Sequence, residues 1–264
     1  MKKNFTLFAL CLFTYSAFAQ MAGSLDYTLS LPQQAMNQNI HAVHQLSLNA
    51  GYRLPNYLRR VTVGAEVGIG NYANLRMPTT FNFEGSAPTN THVNYSSNTF
   101  NANAVISVDL ANKRSTLIPY VVLKGGVHSF FSGIRVEDPT DTDGCRALES
   151  KSITKDNTTA WTYGGGVRYQ ILKNKYFRPY RQHYINIQVT NTRGGTIDYI
   201  NTKKLTDHQH HTPPQNTNNG ESFTPIEMKF INVRSNVIHN HMIAELYSTP
   251  LRFLDIKVGY YMAF

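Results

Sequence analysis

The chain has 264 residues, of which 41% are hydrophobic and 16% charged, and its formal net charge is +9. No stretch beyond the first twenty residues is apolar over the length of about twenty residues that a membrane helix needs. Its two cysteines are Cys11 and Cys145, and Cys11 lies in an N-terminal leader. The composition therefore excludes a bundle of membrane helices and a disulfide-stabilised scaffold, but not a protein that crosses a membrane with strands, in which only every second residue is apolar.

The N-terminus has the pattern of a secretory signal. Lys2 and Lys3 precede an apolar stretch at 5–13, and Ala17-Phe18-Ala19 follows before Gln20. We predict cleavage after residue 19, which leaves 20–264 as the mature protein. The alternative, an uncleaved anchor, has only about fifteen apolar residues, which is short for a spanning helix. Cleavage lowers the net charge from +9 to +7 by removing the two lysines, and we expect this charge to face anionic lipid head groups rather than nucleic acid, because an exported chain rarely meets nucleic acid.

Apolar and polar residues alternate in at least eight segments of the mature chain. This period of two is typical of strands with one apolar and one polar face. No segment of useful length has a helical period, so the pattern predicts an all-β fold. The clearest segments are 25–31, 46–54, 61–69, 100–110, 161–171, 185–189 and 254–264, and 117–127 follows the pattern less regularly.

The final segment is the most informative. Its apolar face ends with Val258, Tyr260, Met262 and Phe264, and the printed chain stops on that phenylalanine. A terminal strand of this kind resembles the insertion signal of bacterial outer-membrane β-barrels, and these four residues are its candidates.

The connections predict topology. Short basic connections at 55–60, 111–116 and 172–183 alternate with long polar stretches at 71–98, 129–159 and 196–224. Outer-membrane barrels have short periplasmic turns and longer external loops. Placing both termini in the periplasm then calls for two further strands, 226–233 and 237–247, with a tight external loop through 248–250. We therefore predict an antiparallel up-and-down barrel of ten strands, with eight as the alternative if 226–247 forms one bulged strand.

A soluble sandwich or lipocalin-like barrel also has alternating strands. The aromatic final strand and the nearly uncharged apolar faces favour the membrane barrel. With its leader ending at Ala19, the glycine-rich strand 163–169 and the closing segment 258–264, the chain resembles small outer-membrane β-barrels of the OmpA-type and porin-like superfamily, in the form common in Gram-negative Bacteroidetes-type bacteria. The resemblance implies a location in the outer membrane and is nearly silent on activity. Its expected partners are outer-membrane lipids, lipopolysaccharide and the barrel-assembly machinery, with a monomeric barrel and no cofactor or nucleic acid.

The inward faces carry charges of both signs. Buried charges are costly unless they are paired, so this mixture predicts a network of ion pairs that fills the lumen. Eight strands leave an interior that side chains just fill, whereas aqueous porins use sixteen or more. We therefore favour a structural or surface-interaction role through the external loops, with a narrow porin-like channel as the alternative. The principal network residues are Glu66, Asp109, Lys124, Arg168, Asp255 and Lys257, and the same face includes Asp26, Arg53 and Glu245.

Catalysis has little support in the sequence. Lipid A deacylases carry a His-x-Ser-Asn element, whereas 239–242 reads His-Asn-His-Met. Omptin-type proteases need fixed Asp–Asp and Asp–His couples, for which only Asp198 and Asp207-His208 are available. We assign no catalytic, cofactor or metal residues, and we interpret the histidines at 208, 210 and 211 and the acidic segment 138–144 as solvated loops. Aromatic residues expected at the membrane interfaces are Tyr27, Tyr52, Tyr163, Tyr169, Tyr260 and Phe264.

Overall fold

The computed structural model describes residues 20–81, 89–111, 115–137, 147–172, 182–203, 223–231 and 238–264. The predicted signal peptide and the histidines at 208, 210 and 211 lie outside these residues, as do 138–144 and Cys145. The strands are β1 (Met21–Pro32), β2 (Val43–Arg53), β3 (Val61–Phe81), β4 (Thr89–Asp109), β5 (Leu117–Glu137), β6 (Ala147–Leu172), β7 (Gln182–Ile200), β8 (Phe223–Ile231) and β9 (Ile238–Ala263), with one short helix, α1 (Ala35–Asn39), and a 3₁₀ turn, Asn56–Leu58.

Eight strands form a closed antiparallel barrel. Each of β1 to β6 pairs with the next strand, β7 pairs with β9, and β9 closes the ring on β1, from Ala22 opposite Ala263 to Pro32 opposite Phe253. The prediction of an antiparallel up-and-down fold is confirmed. The barrel has eight strands, the alternative count, and not ten. We call the end near Ala22 and Ala263 the lower end and the opposite end the upper end.

The two extra strands that the sequence suggested lie differently. β9 is one continuous strand of 26 residues that includes Ser248 and Pro250, so the predicted tight loop at 248–250 is wrong. β8 pairs with the upper part of β9, with Thr224 opposite Leu246, outside the ring and above the end of β1. Eight strands already return the chain to its starting end, so no extra pair is needed.

Successive side chains of a barrel strand point alternately into the lumen and to the outside. On β5, Ile118, Tyr120, Val122 and Lys124 are buried, while the residues between them are more exposed, up to about half for Leu123. Period-two patterning thus gives the strands of the barrel one inward and one outward face. Within the described residues, no helix has the length and apolarity needed to cross a bilayer.

β3 to β6 continue well above the upper ends of β1 and β2, as β9 does beside β8. β3 and β4 stay paired up to Phe81 opposite Thr89, and β5 and β6 up to Glu137 opposite Ala147. Much of the predicted loops 71–98 and 129–159 is therefore strand. We call these upper parts, residues 72–81, 89–98, 130–137 and 147–158, the wing. The strands persist because the inner face of the wing carries its own apolar cluster, which consists of Val93, Tyr95, Ile134 and Val136 with Leu75, Met77, Ile153 and Ile226 packed against it.

A second apolar cluster, which we call the plug, covers the upper lumen. α1 follows β1 and carries Met36, and Ile40, four residues later, caps its C-terminal end. Both side chains are fully buried with Tyr199, Phe130 and Leu251 from the surrounding strands. α1 has only five residues, which are too few to show a helical period, and it was therefore not predicted from the sequence.

Candidate functional site: the barrel lumen and the outer surface

The upper lumen contains a triad centred on Glu66. Its carboxylate accepts hydrogen bonds from Lys124 Nζ at 2.8 and 2.9 Å and from Lys257 Nζ at 2.7 Å. The three residues belong to β3, β5 and β9, and all three side chains are buried. Because β9 is not a neighbour of β3 or β5, this Glu66 triad crosses the lumen.

The lower lumen contains a second triad centred on Asp109. Arg53 Nη2 donates to Asp109 Oδ2 at 2.9 Å, and Arg168 Nη1 donates to Asp109 Oδ1 at 2.5 Å. The guanidinium of Arg168 also lies between the rings of Tyr120 and Tyr261, 4.1 Å from each centroid. Such cation–π contacts add to the ion pair. The Asp109 triad joins β2, β4 and β6 across the lower end.

Two further carboxylates occupy the lumen without belonging to a triad. Asp255 Oδ2 accepts a hydrogen bond from Thr192 Oγ1 at 2.5 Å. Asp26 accepts from Ser24 Oγ at 2.6 Å and from Asn186 Nδ2 at 3.1 Å. The structure thus joins five of the six principal network residues in two triads and leaves Asp255 apart, bonded to a hydroxyl. The formal charges of these lumen residues, four basic and four acidic, balance.

Little room is left between the triads and the plug. A cavity of about 30 Å³ lies between Glu66, His128, Asp255 and Phe130, among other side chains. That volume accommodates about two water molecules. Charged side chains below and apolar side chains above therefore fill the lumen at this level.

The outside of the barrel carries an apolar belt. Along β9 the exposed residues are Ile256, Val258 and Tyr260, and along β7 they are Ile185, Ile187 and Val189, each between 37% and 50% exposed. A soluble protein rarely exposes so much contiguous apolar surface. The belt continues around the barrel through Leu25, Tyr27, Leu46, Leu48, Tyr52, Val63, Val67, Ile69, Phe100, Ile106, Val121, Leu123, Val127, Trp161, Tyr163 and Tyr169.

A closed antiparallel barrel with an apolar exterior and a polar interior has the surface that a lipid bilayer requires of a membrane-spanning protein. The fold is that of an outer-membrane β-barrel.

Comparison with known proteins adds distant likenesses. No protein-family model matches the chain, and no curated protein matches it. Among solved structures, Neisserial surface protein A is 11% identical with a TM-score of 0.39, covering 92% of this chain and 97% of the other. Ail, the attachment invasion locus protein of Yersinia pestis, is 10% identical with a TM-score of 0.28, covering 92% and 96%.

Three of the four candidate residues of the insertion signal lie on the outward face of the lower half of β9, and Phe264 directly follows the strand. Val258 and Tyr260 are exposed, and Met262 and Phe264 are half-buried. The Phe264 backbone N–H donates to the Met21 carbonyl at 2.9 Å, which closes the seam between β9 and β1. The placement on the outward face agrees with the pattern of the sequence, and recognition by the assembly machinery remains a prediction.

Of the residues considered for catalysis, Asp207 and His208 lie outside the described residues, and the others lie apart from the lumen network. Asp198 is on β7, where its backbone N–H donates to Asp156 Oδ2 at 2.8 Å. His239 and His241 pair through their backbones with Phe230 and Met228 of β8. Among the residues that the structure describes, no three His, Cys, Asp or Glu side chains are placed to hold a metal ion.

Sequence reasoning missed the outer face of the wing. There Glu137 accepts hydrogen bonds from Arg76 Nη2 at 2.6 Å and Asn94 Nδ2 at 2.7 Å, with His92 Nδ1 at 3.6 Å. The Arg76 and Asn94 hydrogen bonds hold the pKa of Glu137 below its usual value. These residues lie in a stretch predicted as loop, where alternation of polar with polar residues gave no strand signal.

Proposed function

We propose that this protein is an integral outer-membrane barrel with a filled lumen, whose role is structural or interactive and is performed by the part that projects outside the cell. The observation that carries the proposal is the apolar belt around a barrel whose interior is charged. Such a surface is stable only in lipid, and barrels of this kind occur in the outer membranes of Gram-negative bacteria.

The length of the belt supports the spanning orientation. On β9 the outward apolar residues run from Leu254 to Phe264, which matches the 9–11 residues that a tilted strand needs to cross a bilayer. Aromatic side chains lie near both edges: Tyr52 and Tyr169 below, and Trp161 with Tyr163 above. Tyrosine and tryptophan favour the boundary between acyl chains and head groups.

The filled lumen argues against diffusion through the barrel. The Asp109 triad, the Glu66 triad and the plug succeed one another from the lower end to the upper end. An ion entering the lumen would have to break buried charge pairs, each of which is costly to disrupt. We therefore favour a scaffold over the porin-like channel that the sequence left as an alternative.

The wing supports the interactive role. It projects beyond the belt as four paired strands, and Ile226 of β8 packs against its inner apolar cluster. Its outer face is polar and includes Asn74, Arg76 and Ser96, which line a broad open groove together with Glu137. Such surfaces on a rigid barrel are where binding functions are usually carried.

Gel mobility of detergent-extracted outer membranes, boiled against unboiled, tests the barrel. We expect the unboiled protein to migrate as a compact species and the boiled protein to migrate at its unfolded position. An identical mobility together with recovery in the soluble periplasmic fraction would refute the membrane assignment.

Single-channel recording in planar bilayers tests the filled lumen. We expect no stepwise conductance from the purified barrel at neutral pH, with a sixteen-stranded porin as the positive control. Regular conductance steps would favour the narrow channel instead.

The proposed partners follow from this location. They are the surrounding outer-membrane lipids and lipopolysaccharide, and the barrel-assembly machinery during insertion. We propose a monomer, because closure of β1 on β9 leaves no open sheet edge within the belt.

A further inference from the structure

Two arginines lie directly opposite each other on the outside of the barrel. In the antiparallel pairing of β7 with β9, Arg193 is the partner of Arg252. Both are outward-facing positions, with Arg193 exposed and Arg252 half-buried. Side chains directly opposite each other in an antiparallel pair have Cβ atoms about 5 Å apart, so the two positive charges belong to neighbouring side chains.

The pair lies at the upper edge of the belt. Leu254 lies two residues below Arg252 on β9 and is followed by Ile256, and on β7 the belt ends at Val189. On the other side of Arg193 its cross-strand partner is Trp161, which stacks on Tyr163 with ring centroids 5.1 Å apart. A row of Trp161, Arg193 and Arg252 therefore crosses three strands where the apolar surface stops.

The positive charges of this row are not neutralised by the described part of the protein. Within it, neither guanidinium has a carboxylate within 4.0 Å, and the polar contact of the Arg193 side chain is from Nε to Asn191 Oδ1 at 3.1 Å. The lumen arginines Arg53 and Arg168, by contrast, share Asp109. Like charges directly opposite each other destabilise a sheet, so an external anion would relieve a cost that the described residues leave in place.

We propose that the row of Trp161, Arg193 and Arg252 binds the phosphate head group of a lipid in the outer leaflet, of the phosphorylated glycolipid class. Two guanidinium groups present planar, forked donors that match phosphate oxygens bidentately. The apolar residues directly beneath them accept the acyl chains of the same molecule. This continuity of charge and apolar surface favours a lipid over free phosphate, which would gain nothing from the belt.

The inference rests on the proposed function, because it needs the barrel to span the membrane with the wing outside. Trp161 is the single tryptophan of the chain and lies within the proposed site. Its emission therefore reports binding without any added label.

The test is a fluorescence titration of the full mature barrel in a neutral detergent with diphosphoryl lipid A. Parallel titrations use the same lipid with its phosphates removed, and inorganic phosphate alone. The variant is Arg193→Gln with Arg252→Gln. The matched control is Arg59→Gln with Arg60→Gln, which removes the same charge from two exposed arginines of the turn after β2, at the lower end.

We expect the Arg193/Arg252 variant to bind diphosphoryl lipid A at least about tenfold more weakly, because charge-assisted hydrogen bonds are lost. The Arg59/Arg60 control should stay within about twofold of the unmodified barrel. Equal affinity for the dephosphorylated lipid would overturn the inference, and so would displacement of the lipid by inorganic phosphate at similar concentration. Boiled and unboiled mobility of each variant separates the two proposals: a folded barrel without phosphate preference refutes only this site, and the absence of a folded barrel refutes both.

Discussion

Removing the central carboxylate of the upper lumen should be among the most damaging single changes in the barrel. In Glu66→Gln the volume is kept, but Lys124 and Lys257 lose the negative charge that they share. Their ammonium groups lie 2.7–2.9 Å from the carboxylate, and their side chains are only 4% and 3% exposed. Breaking a buried pair by removing one partner typically costs about 3–5 kcal/mol. We therefore expect the free energy of unfolding to fall by about that amount.

The assay is urea unfolding of the barrel from detergent micelles, followed by the emission of Trp161 and by the mobility shift on gels. Both probes should report one transition if unfolding is two-state. The unfolding free energies of the unmodified and variant barrels are compared at the same detergent concentration.

A triple replacement is the matched control for this prediction. Glu66→Leu, Lys124→Met and Lys257→Met together remove all three charges at similar volume. Replacing a buried ionic triad by apolar residues is often neutral or stabilising, so the triple variant should be more stable than Glu66→Gln alone. A loss below about 1 kcal/mol for Glu66→Gln would refute the reasoning, because it would mean that water solvates the two lysines. A triple variant as unstable as the single one would show that packing, not charge, sets the cost.

Three further changes test other parts of the structure. In vesicles, Trp161 should be quenched more strongly by lipids brominated near the head group than by lipids brominated near the chain end, and the opposite order would place it away from the upper interface. Gly164→Ala should lower the urea midpoint, because an added Cβ would collide with the backbone of β7, whereas Gly125→Ala, with nothing within 4 Å, should change it little; equal effects would contradict this difference. Glu137 should stabilise its contact with Arg76 above the ordinary carboxyl pKa of 4.5 and lose that contribution as the pH falls through its lowered pKa. The protection factors of backbone amides in the wing, which are corrected for the intrinsic exchange rate at each pH, should therefore fall in acid, and this fall should be absent in Glu137→Gln.

Within the alternating segments, it could be predicted from sequence which residues face the lumen, because this depends only on whether a position is odd or even along the strand. Asp109 and Arg168 follow the polar positions of regular alternation, Lys124 lies on the more polar face of the less regular segment 117–127, and all three are buried in the lumen. The choice of partner could not be predicted. Glu66 is 58 residues from Lys124 and 191 from Lys257, and which of the inward charges meet depends on the tilt and stagger of the closed barrel.

The parts above the belt could not be predicted from the same pattern. In the wing, Val93 and Ile134 belong to a small apolar cluster. The residues that alternate with the cluster residues along the two strands include Asn, Ser and Arg, a composition that is typical of loops. At α1, Met36 of the helix and Ile40 at its C-cap are the buried apolar residues, and the helix is only one turn long. Both depend on contacts between distant segments, which local propensity does not encode.

The number of strands could not be predicted from the alternation of apolar and polar residues. Eight and ten strands both return the chain to its starting end, so alternation and loop length cannot decide between them. The deciding feature is the edge of β9. From Phe253 to Ala263 one edge is bonded to β1 and the other to β7, so no further strand can enter the ring there. β8 pairs only with the part of β9 above Pro32, and a barrel that must leave no unpaired backbone in lipid is already complete with eight.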